Sequence, residues 1–268
     1  MIRYYWICIF LCGYFWTKGQ EKLAYQLMAQ EQYPKAALAF ERAFFEAKDM
    51  QERNRFLMLK AQCYKAIGDY EAGIRNLQRV RYLRGDSLKR AVNYEMILLY
   101  YLHGALADAQ SRLIRMQATG GMSQEMLLLS FLVNVEQGKW AEARQLLMEQ
   151  DTVFQLSPED IEYILPEKLK LKDPRKAYNL SLLPGIGQWY AGYFWKGVLS
   201  GGIRALLGAF SIYSLVEGYF FTGTLTGVAL FYTFYLGGAR YAETLANRKN
   251  EERAGQIKER FFEKYDPG

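Results

Sequence analysis

Gln32-Tyr33-Pro34-Lys35-Ala36, Gly68-Asp69-Tyr70-Glu71-Ala72-Gly73, Gly104-Ala105-Leu106-Ala107-Asp108-Ala109 and Gly138-Lys139-Trp140-Ala141-Glu142-Ala143 are four versions of one turn followed by one helix start. Their bulky members, Tyr33, Tyr70, Leu106 and Trp140, stand 37, 36 and 34 residues apart. Three residues after each comes a small residue (Ala36, Gly73, Ala109, Ala143), and four further on a large apolar one (Phe40, Leu77, Leu113, Leu147). The small residue lets an antiparallel helix approach closely, and the large one fills the space towards the next pair. A period of this length predicts a stack of helix pairs.

The pattern resembles the tetratricopeptide repeat, whose unit pairs two antiparallel helices around a short Gly-containing turn. Leu57, Ala61 and Tyr64 stand at the family's first-helix packing positions in the second unit, as do Leu127, Phe131 and Asn134 in the fourth. The chain departs from the family at Gly73, where Ala is usual, in a less regular third unit, and in lacking the closing proline. The resemblance covers about residues 20–150 and implies four pairs with a concave, protein-binding face. Tyr25, Arg55, Lys60, Asn93, Tyr94 and Tyr101, all on first helices, are the candidate groove residues. The alternative is that the repeats only hold the domain together.

Beyond Gln150 the period fails. Ser157-Pro158-Glu159-Asp160 reads as a helix start, with Ser157 as cap and Pro158 in the first turn. Lys168, Lys170, Lys172, Arg175 and Lys176 then crowd beside an apolar region, either to meet lipid phosphates or as a solvated linker. From Ala177 to Ala239 the only charges are Lys196, Arg204 and Glu217. Val198–Tyr219 (22 residues) and Phe221–Ala239 (19 residues) are each long enough to span a bilayer. Gly218 and Thr222-Gly223-Thr224 mark a tight connection, so a transmembrane helical hairpin is expected, with Gly197-x-x-x-Gly201 and Gly223-x-x-x-Gly227 as close-packing faces. Arg204 and Glu217, 13 residues apart, are too distant to pair within one span. They are read as near-interface residues that snorkel, against the alternative of a polar contact to a partner subunit or a conducting path.

Upstream of the first span, Pro184, Gly185, Gly187, Gln188 and Tyr190 make the run Pro-Gly-x-Gly-Gln-x-Tyr, followed by Lys196-Gly197. This resembles a family of bacterial membrane domains of unknown function over roughly residues 172–248, which implies a fold and no mechanism. Pro184-Gly185 interrupts any complete helix, and Trp189, Tyr190, Tyr193 and Trp195 suit headgroup depth.

At the N-terminus, Arg3, an apolar core from Tyr4 to Trp16 and the exit Thr17-Lys18-Gly19 resemble a secretory signal, with an uncleaved anchor as the weaker alternative. Cys8 and Cys12 fall inside it, leaving Cys63 alone in the mature chain, with no disulfide or thiolate metal site to be built. With His103 the only histidine, the usual zinc and triad constellations are out of reach. The net charge of +6 is spread along helices instead of forming a nucleic-acid stripe.

The expectation is therefore all-α: signal 1–19, tetratricopeptide-like solenoid 20–150, capping helix and basic linker 151–176, membrane domain 177–246 and a charged tail 247–268, read as a solvated helix. Catalytic, cofactor and metal sites are not expected. The expected function is an inner-membrane scaffold with periplasmic repeats, binding a protein partner and membrane lipid, not nucleic acid, within a larger membrane complex. Basic flanks on both sides of the hairpin favour the cytoplasm instead, and the signal outweighs them because a long domain translocates largely regardless of its charges. The alternative is an accessory subunit of a transporter or channel using Arg204 and Glu217.

Overall fold

The computed structural model describes residues 19–81, 86–120 and 122–265, so the expected signal, apart from Gly19, lies outside the described residues together with Cys8 and Cys12. Every regular element among the described residues is helical. The chain divides into two compact units, one through Val133 and one from Asn134 onward.

The first unit holds α1 (19–29), α2 (Tyr33–Glu46), α3 (Met50–Ala66), α4 (Tyr70–Leu77), α5 (Asp86–Leu102), α6 (Leu106–Ala118) and most of α7 (Gln124–Glu136). Its core comes in three clusters, each made from three consecutive helices and sharing one with the next. Phe40 and Phe56 anchor the first, Leu57, Leu77 and Leu99 the second, and Ile97, Leu113 and Val133 the third. The small residues Ala36, Gly73 and Ala109 are buried, as are Phe40, Leu77 and Leu113 after them. Gly73 departs from alanine for a steric reason: a Cβ there would come within 3.0 Å of Leu99 Cδ1 on α5.

One backbone turn recurs in all four sequence repeats. In the second, Gly68 N–H donates to Lys65 O (3.1 Å) and Asp69 N–H to Tyr64 O (3.0 Å). The same two bonds form at Gly104 and Ala105 (3.0 and 2.9 Å) and at Gly138 and Lys139 (3.1 and 2.8 Å). This is the Schellman closure, which requires a left-handed residue just past the helix end. Gly68, Gly104 and Gly138 supply it at φ of 79°, 79° and 72°. In the first repeat Glu31 occupies that place at φ 58°, with the same bonds to Met28 O (3.0 Å) and from Gln32 N–H to Leu27 O (2.9 Å).

The second unit begins inside α7 and continues with α8 (Trp140–Glu149), α9 (Asp151–Phe154), α10 (Pro158–Ile164), α11 (Pro174–Leu180), α12 (Ile186–Tyr190), α13 (Phe194–Val216), a π-helical segment (Thr222–Val228) and α14 (Ala229–Lys264). α10 starts on a full capping box, Ser157 and Asp160 each bonding the other's backbone N–H. Asp173 caps α11 by accepting from Arg175 and Lys176 N–H, with Pro174 in the first turn.

α13 is the one helix among the described residues long and apolar enough to cross a membrane. The second expected span does not form a helix of its own. Its apolar run is divided between the π segment and the start of α14, which turns charged at Arg240 and continues to Lys264. Strands of contact run antiparallel along the two: a Cβ on Gly223 would meet Leu215, one on Gly227 would meet Ser211, and Gly208 faces Phe231. The Ser211 hydroxyl donates to Gly223 O (3.1 Å), serving a carbonyl where the ladder widens.

The tail is not a solvated helix. Ala254, Ile257, Phe261 and Tyr265 are buried along one side of α14, with Phe261 against the Phe154 ring (5.8 Å) and stacked on Tyr265 (5.0 Å). Nor is the basic segment a free linker. Asn250 accepts from Lys172 N–H and donates to Lys172 O (both 2.8 Å), and Arg253 donates to Lys170 O (2.6 Å). Lys264 pairs with Asp160 (3.1 Å), and Lys258 with Glu136.

Candidate functional site

The Pro-Gly-x-Gly-Gln-x-Tyr run folds α11 and α12 back on each other and seats them on α13 and α14. Gly185 takes φ 89°, where a Cβ would stand 2.5 Å from Gly197 O. A Cβ on Gly187 would overlap the Ser181 hydroxyl and the Ala177 carbonyl, and one on Gly197 the Trp189 ring. These glycines are demanded by close approach. Pro184 lies against Gly201, and the Tyr190 hydroxyl accepts from Asp173 N–H (3.0 Å) beneath the ammonium groups of Lys172 (4.9 Å) and Lys176 (5.6 Å). Tyr193 donates to Glu252 (2.9 Å), and Lys249 first, then Tyr193, holds that carboxyl below its ordinary value. Trp189 and Trp195 face outward, so the expected aromatic belt is split between an inward and an outward pair.

Gln188 is fully buried at the centre of this arrangement. Its amide nitrogen donates to Gly238 O (3.0 Å) and to the Ser200 hydroxyl (3.3 Å), tying α12 to both long helices. Beside it lies Arg204, only 1% exposed. Nη1 of Arg204 donates to Ser181 O (3.0 Å), the guanidinium lies 5.5 Å from the Tyr235 ring, and Nε and Nη2 have no acceptor. The Gln188 carbonyl oxygen and the Ser181 hydroxyl are likewise buried and unpaired. Arg204 thus does not snorkel to an interface; it is packed against protein, in space that exists because Gly238 has no side chain. Glu217 differs from it, being exposed just past the end of α13. Lys196 stands at the first turn of α13, its ammonium over the rings of Tyr193 (4.7 Å) and Tyr241 (5.7 Å).

The residues around Arg204 that sequence reasoning passed over are Ser181, Ser200, Tyr235 and Gly238. The Gly237-Gly238 pair inside an apolar run was their one visible signal, since glycine in a helix marks close approach.

On the first unit, the expected groove residues have partners on several helices. Arg55 donates to the Tyr25 hydroxyl (2.6 Å) with its guanidinium 5.6 Å from that ring, so these two form a charged-aromatic pair across α1 and α3. Lys60 is only 12% exposed and pairs with Glu41 on α2 (2.7 Å), which Arg79 also reaches (3.0 Å). Burial works to raise the Glu41 carboxyl, but the hydrogen bonds and charges of Arg79 and Lys60 outweigh it and hold the carboxyl below its ordinary value. Asn93 accepts from Arg112 on α6 (3.2 Å), and Tyr94 and Tyr101 lie against the third core cluster. Asn54, which sequence reasoning missed, clamps the backbone of Arg81 from both sides (2.7 and 3.2 Å).

The chain matches no protein-family model, no curated protein and no solved structure.

Proposed function

We propose that this chain is a membrane-anchored protein-interaction scaffold of the bacterial envelope. Tetratricopeptide-like repeats recruit a protein partner, while α13 and the apolar chain after it hold them at the inner membrane, on the periplasmic side. The setting is membrane- or envelope-protein biogenesis or export. The observation that carries this reading is the Schellman turn recurring at Glu31, Gly68, Gly104 and Gly138, which gives each sequence repeat the same helix-to-helix connection. The anchoring half rests on α13, 23 residues long with 17% of its apolar window buried, and on Trp195, Leu206, Val216 and Phe221 exposed around it.

The test is capture from mild detergent with the full chain as bait, beside a Tyr25→Ala/Arg55→Ala variant. A protein recovered with the native chain and lost with the variant supports the scaffold; nothing above background removes it. Protease access to a tagged first unit in intact cells and spheroplasts fixes the side of the membrane, with cleavage only in spheroplasts expected. The second reading, an accessory subunit of a transporter or channel, is favoured by one observation, the buried guanidinium of Arg204, whose Nε and Nη2 have no acceptor. Transport lost on neutralising Arg204, with membrane level unchanged and no captured partner, would select it.

A further inference from the structure

A cleft of about 450 Å³ runs between α13 and α14, with Lys196, Leu199, Ser200, Ile203, Arg204 and Phe234 among its walls. Among the described residues, no carboxylate pairs with either of its two cations. Lys196 meets only aromatic rings, and Arg204 meets one carbonyl and one ring while keeping two nitrogens without an acceptor. A guanidinium in a membrane segment is costly unless a counter-charge is supplied. Glu217 cannot supply it, lying exposed beyond the far end of α13. The unpaired nitrogens are closed off from water, so the charge of Arg204 acts on the cleft through a wall of low polarity, little screened. The Ser200 hydroxyl already accepts from Gln188 (3.3 Å) and keeps its own proton to donate. Leu199, Ile203 and Phe234 give it hydrocarbon walls, and the Thr233 hydroxyl, also at the cleft, is taken up by Ala229 O (2.9 Å).

Two uncompensated cations, a free hydroxyl donor and apolar walls describe an oxyanion attached to a hydrocarbon body. We propose that this cleft binds an acidic phospholipid. Its phosphate sits at Lys196 and Ser200 under the field of Arg204, and the start of an acyl chain lies along Leu199, Ile203 and Phe234. The volume lies within the range of about 300–1,000 Å³ usual for small-molecule pockets. The inference rests on the membrane half of the proposed function and deepens it from anchorage to recognition of one lipid class.

The test uses the full chain in a neutral detergent, with native mass spectrometry counting bound short-chain phosphatidylglycerol, phosphatidylcholine and inorganic phosphate. One phosphatidylglycerol bound saturably, in preference to phosphatidylcholine and undisturbed by inorganic phosphate, is the expected result. Lys196→Gln and Arg204→Gln should each weaken it about fivefold, the weight of one cation against an anionic lipid. Lys196→Gln keeps the test decisive if Arg204→Gln fails to fold, because Lys196 is half-buried at the cleft wall and has no hydrogen-bonded partner among those described. Equal binding of phosphatidylcholine, or no effect of Lys196→Gln, overturns the proposal. Displacement by inorganic phosphate at equal concentration overturns the acyl part and leaves a free-oxyanion site. Carbonate extraction of membranes separates the two levels: release of the chain would sink the anchor itself, whereas retention without selective lipid binding sinks only the cleft.

Discussion

Replacing Glu31 by glycine should strengthen the protein. Glu31 fills, at φ 58°, the left-handed position that Gly68, Gly104 and Gly138 fill in the other three repeats. A side chain in that region costs about 1–2 kcal/mol, and glycine's greater freedom in the unfolded chain returns about 0.5–1 kcal/mol of that. The net expectation for Glu31→Gly is a gain of about 0.5–1 kcal/mol, or two- to fivefold in local opening. The reverse change, Gly68→Ala, has open space around the added Cβ, so only the backbone term applies and the loss is about 1 kcal/mol. Gly138→Ala would bring its Cβ within 2.8 Å of Leu171 Cδ1, the tip of an exposed side chain that can turn aside, so its loss should also be about 1 kcal/mol. Hydrogen exchange of the full chain in mild detergent, read by mass spectrometry on peptides either side of each turn, resolves the three changes locally. Lower protection of α1 and α2 in Glu31→Gly, or costs at Gly68→Ala and Gly138→Ala that differ by more than about 1 kcal/mol, would refute the equivalence of the four turns.

In the second unit, Gly187→Ala should abolish the compact, protease-resistant state, because the new methyl falls on a backbone carbonyl that cannot yield, while Gly192→Ala, with φ 93° but open space, should retain it. Cys63 is buried and its thiol is pushed up to about 11 by that burial, so thiol reagents at neutral pH should leave the Cys63 peptide unlabelled in the folded chain and label it fully in denaturant. Glu41 is held below its ordinary value, so folding favours its ionised form; the stability it lends is present at neutral pH and is lost as pH falls below about 4. Exchange protection of α2 should drop on that acidification, and Glu41→Gln should flatten the drop. Phe261→Ala empties a fully buried aromatic site and should cost about 3–5 kcal/mol, seen as early proteolysis at the end of α14.

The repeats were legible because each unit carries its own turn residue and its own small-then-large helix, all local in sequence. Gly68, Gly104 and Gly138 announced their turns; Glu31 did not, since glutamate gives no cue to a left-handed backbone. The motif from Pro184 to Gly197 was legible as a pattern, but its reason was not. Gly187 is small because of Ala177 and Ser181, and Gly238 because of Arg204, and such pairings exist only once the chain has folded back. Arg204 reads as an interface residue because a charge in an apolar run is costly to bury; Ser181 and Gly238, which make room for it, lie far on either side in sequence. The tail's stripe of Ala254, Ile257 and Phe261 was readable at helical spacing, yet the density of charges around it masked a face only one residue wide.

α14 is a single rod of 36 residues, about 54 Å long at 1.5 Å per residue. It is held at mid-length, where Ala242, Leu245 and Ala246 press on Ala177. Gly238, which covers the guanidinium of Arg204, lies on one arm, and Phe261, seated on Phe154, lies on the other. Between them Asn250 holds Lys172 and Arg253 holds Lys170, so one unbroken helix ties successive short elements together and serves as the spine of the second unit.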